Sequence, residues 1–170
     1  MLLMVSINSM AQTVTYTVSK DAKNGDVIFN GALTFTDLYK EPTFTWLKKG
    51  YDEYNPNAAV TSHLKEYLNN FTIVVFLGTW CDDSHELIPK LARVLDIAGF
   101  PKARLTMYGV DREKTTNGGE HKKYNITLVP TIILFNNEGK EVGRITETVN
   151  KSLEEDLDKI VSLAAKESHQ

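Results

Sequence analysis

The sequence predicts an α/β fold built on a mixed central sheet, on three observations. The stretch "FTIVVFLG", residues 71–78, is an unbroken apolar run rich in β-branched residues, the mark of a strand buried on both faces. Helical patterns flank it, so that from Asn57 onward the order reads helix, strand, helix, strand, short helix or loop, strand, strand, helix. The last two strands, "TIILF" and "KEVGRIT", are joined only by "NNEG" and form an antiparallel hairpin. Strands paired through helical crossovers should run parallel, which makes the sheet mixed and covers both of its faces.

The elements follow in order. "MLLMVSINSMAQ" is a short apolar run followed by Ser9 and Ala11 at the small-x-small spacing that signal peptidase reads. It lacks a basic beginning, so we read residues 1–11 as a truncated export signal cut at Ala11–Gln12, with the mature chain periplasmic or secreted, and otherwise cytoplasmic. Residues 12–56 form an N-terminal extension. "TVTYTV", from Thr13 to Val18, alternates as an exposed or edge strand does. Asn30-Gly31 lies between two apolar runs and suits the tight turn of a β-hairpin. From Thr36 to Tyr54 the pattern is helical, broken at Pro42 and closed at Gly50. Within it Phe44, Trp46, Tyr51 and Tyr54 make an aromatic cluster that packs extension onto core.

Residues 57–170 form the main domain. Asn57 caps a helix with Val60, Leu64, Tyr67 and Leu68 on one face. After the buried strand, a helix from Asp82 to Ile97 turns Leu87, Leu91, Val94 and Leu95 inward. "RLTMYGV" is a strand and "TTNGGEHKKYN" a polar loop in which Glu120, Lys122 and Lys123 are solvated. The closing helix starts with a capping box of Ser152 and Glu155 and buries Leu153, Leu157, Ile160 and Val161. The chain of 170 residues is long enough for one domain with a proper core.

Composition excludes several classes of function. A formal charge of −3 and a pI near 5.8 leave no basic footprint for nucleic acid. Nothing after the first dozen residues approaches a membrane span. One cysteine, Cys81, rules out a disulfide framework or a multi-cysteine zinc site among these residues. We expect no cofactor and no metal. His85 stands one turn after Cys81 and reads as a half-exposed helix histidine; His63, His121 and His169 read as surface residues.

Cys81 sits where the buried strand gives way to a helix, between Gly78 and Trp80 on one side and a charged quartet on the other. A helix N-terminus presents unpaired N–H groups and about half an elementary positive charge, which stabilises an anion. A cysteine there has more of its reactive thiolate at neutral pH. Asp82 and Asp83 complement the helix dipole but oppose a neighbouring thiolate, so they modulate the sulfur.

These residues resemble the thioredoxin family in three places. Trp80-Cys81-x-x-Ser84 is similar to the family's W-C-x-x-C segment with the second cysteine replaced by serine. Pro89, eight residues after Cys81, matches the proline that bends the family's active-site helix. "KYNITLVPTIILFNNEGKEVGRI" is similar to the family's cis-proline segment and hairpin, with Pro130 as the cis-proline and Val129 before it. The likeness runs from about Phe71 to Ala165 and implies a thioredoxin fold, a mixed sheet flanked by helices, carrying an N-terminal extension with a β-hairpin and helix. It implies a catalytic Cys81, a Ser84 hydroxyl that can donate to the thiolate but cannot resolve a mixed disulfide, and substrate contacts from Trp80, Val129 and Pro130. Val75 stands where the family keeps a buried carboxylate, and valine cannot move a proton.

Three functions stay open at this point. The first is monothiol exchange with client protein or small-molecule thiols and disulfides, completed by an external resolving thiol. The second is a non-catalytic binding or scaffold protein. The third is a metal chaperone or thiol peroxidase; for the peroxidase, Gly78 stands where an activating threonine is wanted.

Overall fold

A computed structural model describes residues 15–167. The expected export signal, the expected start of the first strand at residues 13–14, and His169 lie outside the described residues. Six strands form one sheet in the order β1-β2-β4-β3-β5-β6. They are β1 (Thr15–Lys20), β2 (Val27–Leu33), β3 (Thr72–Leu77), β4 (Leu105–Gly109), β5 (Thr131–Phe135) and β6 (Glu141–Thr146). The helices are α1 (Phe35–Lys40), α2 (Thr45–Glu53), α3 (Ala58–Tyr67), α4 (Asp82–Ala98), the one-turn α5 (Glu120–Lys123) and α6 (Leu153–Glu167).

The apolar run becomes β3, second in from neither edge but central, parallel to β4 and antiparallel to β5. Alternation along it splits the core in two. Ile73, Val75 and Leu77 point into the larger cluster, where Leu38, Leu47, Leu64, Leu91 and Leu157 bring in all five longer helices. Val74 and Phe76 point the other way, into a smaller cluster with Val110, Ile126, Val129 and Ile133, against which Trp80 and Cys81 pack. The second face is therefore covered by the segment between β4 and β5 rather than by a long helix.

Caps and turns set the element ends. Asn57 accepts the N–H groups of Ala59 and Val60 and starts α3. Thr34 and Asp37 form a full capping box on α1. Ser152 accepts the Glu155 N–H at 3.3 Å at the head of α6. Pro89 lies inside α4, which ends in a left-handed Gly99.

Three local expectations are corrected. The hairpin does not turn at Asn30-Gly31, which lie inside β2; it turns at the other Asn-Gly pair, Asn24-Gly25, where Asp21 N–H reaches Asp26 C=O at 2.7 Å. Both pairs carry the same turn chemistry, and only the second separates two strands of matched length. Gly50 does not end a helix: α2 runs on to Glu53, and a Cβ at residue 50 would stand 2.7 Å from Cγ of Pro89. Glycine there lets α2 pass close over α4. On α3, Tyr67 is exposed and Thr61 takes the inward position beside Leu64 and Leu68.

Residues 15–56 are not a separate appendage. β2 is hydrogen-bonded antiparallel to β4 from Gly31–Gly109 to Leu33–Met107, so the N-terminal hairpin completes the sheet. At Gly109 the approach is extreme: a Cβ would lie 2.1 Å from the Phe29 carbonyl oxygen. The four aromatics of the extension separate into two roles. Phe44 and Trp46 continue a series of ring contacts from Tyr16 and Phe29. Tyr51 donates to Asp96 at 2.8 Å and Tyr54 to Glu154, fastening α2 to α4 and α6.

Candidate functional site around Cys81

β3 ends at Leu77, and Gly78-Thr79-Trp80 carry the chain into α4. Cys81 is the N-cap residue of that 17-residue helix, with extended backbone (φ −101°, ψ 123°) and no side-chain capping bond. Its N–H closes a tight turn on Gly78 C=O at 2.9 Å, and its own carbonyl accepts the His85 N–H, the first bond of the helix. The sulfur is thus held at the positive end of a long helix dipole, half-buried and unpaired with any other cysteine.

Across from it lies the turn before β5. The Val129–Pro130 peptide bond is cis. Cys81 Sγ is 3.4 Å from the Val129 carbonyl oxygen, close enough for the thiol to donate to it. Val129 and Pro130 are buried, while the preceding Leu128 is 41% exposed.

Ser84 is fully buried, and its hydroxyl oxygen accepts the Gly78 N–H at 3.1 Å. That bond closes the same turn from beneath, while the hydrogen bond of the sulfur goes to Val129. Asp82 and Asp83 stand in the first turn with exposed side chains. Val75 is fully buried between Met107 and Ile132 in the neighbouring strands, so no carboxylate lies under the site there.

Trp80 is half-buried. Its indole N–H donates to the Val110 carbonyl at 2.9 Å. The Arg112 guanidinium lies 4.6 Å from the ring centre and Lys114 Nζ 5.7 Å from it. Arg112 is in turn held by Asp21 in the N-terminal hairpin turn, with Nε 2.7 Å from the carboxylate. The hydrogen bonds from Arg112 and from the Lys23 N–H hold the Asp21 carboxyl below its ordinary range. Two cations thus lie on the Trp80 side of the sulfur and two carboxylates on the α4 side.

His85 does not face the sulfur as a second metal ligand would. Its Nε2 donates to the Thr79 carbonyl at 2.7 Å, and its ring stacks on Trp46 at 4.4 Å and 18°. His63 pairs with Asp158 of α6, and His121 Nδ1 accepts the Thr116 N–H at 2.9 Å. Among the described residues no three His, Cys, Asp or Glu side chains are grouped to hold a metal ion.

Sequence reasoning missed Thr79, Arg112, Lys114 and Asp21. Thr79 carried a weak signal, a hydroxyl directly before Trp80 in an otherwise apolar approach. Asp21 and Arg112 lie 91 positions apart and carried none.

Comparison with known proteins identifies the family and the fold. The family model described as Thioredoxin matches residues 56–159, more than half of the chain. Among solved structures, a Pseudomonas aeruginosa protein of unknown function superposes with a TM-score of 0.55 at 13% identity, covering 81% of this chain and 82% of that one. An HIV epitope scaffold gives a TM-score of 0.57 at 11% identity, covering 80% of this chain and 93% of that one. At such identities the likeness is one of fold. Mitochondrial thioredoxin 3 from Saccharomyces cerevisiae gives a TM-score of 0.39 at 16% identity, covering 66% of this chain and 97% of that one. No curated protein matches. The chain belongs to the thioredoxin family.

Proposed function

We propose that this protein carries out monothiol thiol–disulfide exchange through Cys81. The observation that carries the reading is a half-exposed sulfur at the N-terminus of α4, 3.4 Å from the backbone carbonyl of the Val129-Pro130 turn. The helix end stabilises the thiolate. That thiolate attacks one sulfur of a client disulfide; the client S–S bond breaks, a new S–S bond forms to Cys81, and the second client sulfur leaves as a thiolate. These 170 residues hold no second cysteine, so an external thiol attacks the mixed disulfide, forms a disulfide with the client sulfur and returns Cys81 as thiolate. Clients are proteins or small thiols and disulfides that reach the sulfur beside Trp80 and the Val129-Pro130 turn. We place the activity in the periplasm or outside the cell, after removal of residues 1–11.

The test is direct. Purified protein mixed with an oxidised client accumulates a mixed disulfide on a non-reducing gel, and Cys81→Ala abolishes it. A native Cys81 that resists small alkylating agents removes this reading.

A second reading, a thioredoxin-fold binding module, is favoured by one detail. The Cys81 contact to Val129 uses the thiol's proton and is lost in the thiolate. Under that reading the Cys81→Ala protein still captures its partner.

A further inference from the structure

We propose that the N-terminal hairpin and α2 are positioning elements of the thiol, acting on the two residues before it: Trp46 and β2 through Thr79, and Asp21 through Trp80. The proposal rests on Cys81 being the reactive group, and it deepens that reading by assigning a role to residues 15–56.

The two residues are held by separate sets of contacts. Thr79 is 2% exposed although it lies in a connecting segment. Its hydroxyl donates to Val27 C=O at 2.8 Å and accepts the Phe29 N–H at 3.2 Å. Ladder pairing of β2 with β4 stops at Gly109, so this one side chain takes over as the pairing partner of β2 where β4 has ended. The Thr79 carbonyl is fixed independently by His85. Bonding a carbonyl requires the proton on Nε2, which sets the imidazole tautomer and leaves Nδ1 4.0 Å from Asp82. Trp46 of α2 stacks on the ring and restricts its rotation.

Trp80 is held on its edge by Val110 and on its face by Arg112. Arg112 sits on a loop after β4 and owes its position to Asp21, whose side chain is only 2% exposed. A buried carboxylate with a single guanidinium partner and the Lys23 N–H is costly to separate from either. Both routes begin in the first 56 residues and end one and two residues before the sulfur. A shift of that segment changes the 3.4 Å approach of Sγ to Val129 and the alignment of Sγ with the helix end.

The test compares variants that break one link with variants that keep it. Thr79→Val preserves shape and removes the hydroxyl, while Thr79→Ser restores it. His85→Phe keeps a ring against Trp46 without a donor, while His85→Gln returns an N–H toward Thr79. Asp21→Asn removes the charge that holds Arg112. For each variant the rate constant of Cys81 with iodoacetamide is measured against pH, with far-UV circular dichroism and melting as controls of folding. We expect Thr79→Val, His85→Phe and Asp21→Asn each to change the rate or its pH profile by at least about threefold, and Thr79→Ser and His85→Gln to return toward wild type. His85→Phe and Asp21→Asn carry the test if Thr79→Val does not fold. Wild-type rates and profiles in the folded variants overturn the proposal. If the wild-type sulfur is itself inert, the exchange reading fails. The positioning is then judged from the Cys81 amide and Trp80 indole resonances in 15N spectra. Displacement in His85→Phe and Asp21→Asn, reversed in His85→Gln, supports it; unmoved resonances overturn it.

Discussion

Replacing Gly109 by alanine should loosen the N-terminal hairpin from the rest of the sheet. A Cβ at residue 109 would lie 2.1 Å from the Phe29 oxygen and 2.9 Å from its carbonyl carbon, where real contacts stay beyond 3.0 Å. The obstacle is backbone, so no rotamer change relieves it, and β2 must retreat from β4 by about 1 Å. Three sets of bonds depend on that approach: the Gly31–Gly109 ladder pair and the two bonds between β2 and Thr79. At roughly 1 kcal/mol net for each hydrogen bond stretched, the substitution costs about 2–4 kcal/mol. For a chain of this length that lowers the melting temperature by about 5–15 °C. Gly143→Ala is the comparison, because its methyl would meet a side chain rather than backbone, Ile160 Cγ2 at 2.8 Å and Cγ1 at 2.9 Å. It should cost less, about 1–2 kcal/mol, since the half-buried Ile160 side chain can shift where the Phe29 backbone cannot. Thermal melts followed by circular dichroism measure both. A Gly109→Ala protein that melts within about 2 °C of wild type, or above Gly143→Ala, refutes the claim that backbone contact fixes the hairpin.

Ser84→Cys places a second thiol one turn into α4 and should give insulin-reducing activity with an external reductant, at least about tenfold above wild type; an unchanged rate speaks against the assigned geometry. Neutralising both exposed carboxylates, Asp82→Asn with Asp83→Asn, should speed alkylation by anionic iodoacetate about two- to fivefold more than by neutral iodoacetamide, and salt should erase the difference. Equal effects on the two reagents would show that the carboxylates do not reach the sulfur. Burial alone would raise the Glu154 carboxyl, but hydrogen bonds from the Tyr54 hydroxyl and the Asn57 N–H outweigh it and hold the group below its ordinary 4.5. A carboxyl lowered in the folded state stabilises the fold fully above its unfolded value and loses that contribution as pH falls through the folded one. Melting temperature should therefore drop below about pH 4.5, and Glu154→Gln should be less stable at neutral pH with a flatter acid limb. A limb of wild-type steepness in that variant would remove Glu154 as its cause.

The central layer was legible because its physics is local. Five consecutive apolar residues rich in β-branched side chains, Ile73–Leu77, read as a buried strand between two helical patterns, and an amphipathic helix directly after them favours a crossover to a parallel neighbour. The junction that holds Cys81 was legible for the same reason. The turn of the hairpin was not, since Asn24-Gly25 and Asn30-Gly31 carry the same conformational freedom and only the length of the strand that follows decides between them. Gly50 read as a stop because in isolation glycine weakens a helix; the reason it stays is a proline on another helix. Thr79 meets β2, and Arg112 meets Asp21, only after the sheet has formed, and no short-range pattern records such a meeting.

The strand β2 has its pairing partners on both sides, β1 at the rim and β4 within. A fragment starting at residue 57, close to where the family match begins, would uncover the flank of β4 that β2 pairs with, a row of open amides and carbonyls ready to adhere to any extended chain. The family match therefore begins inside the sheet, after two of the strands that build it. Excision there would make a sticky fragment.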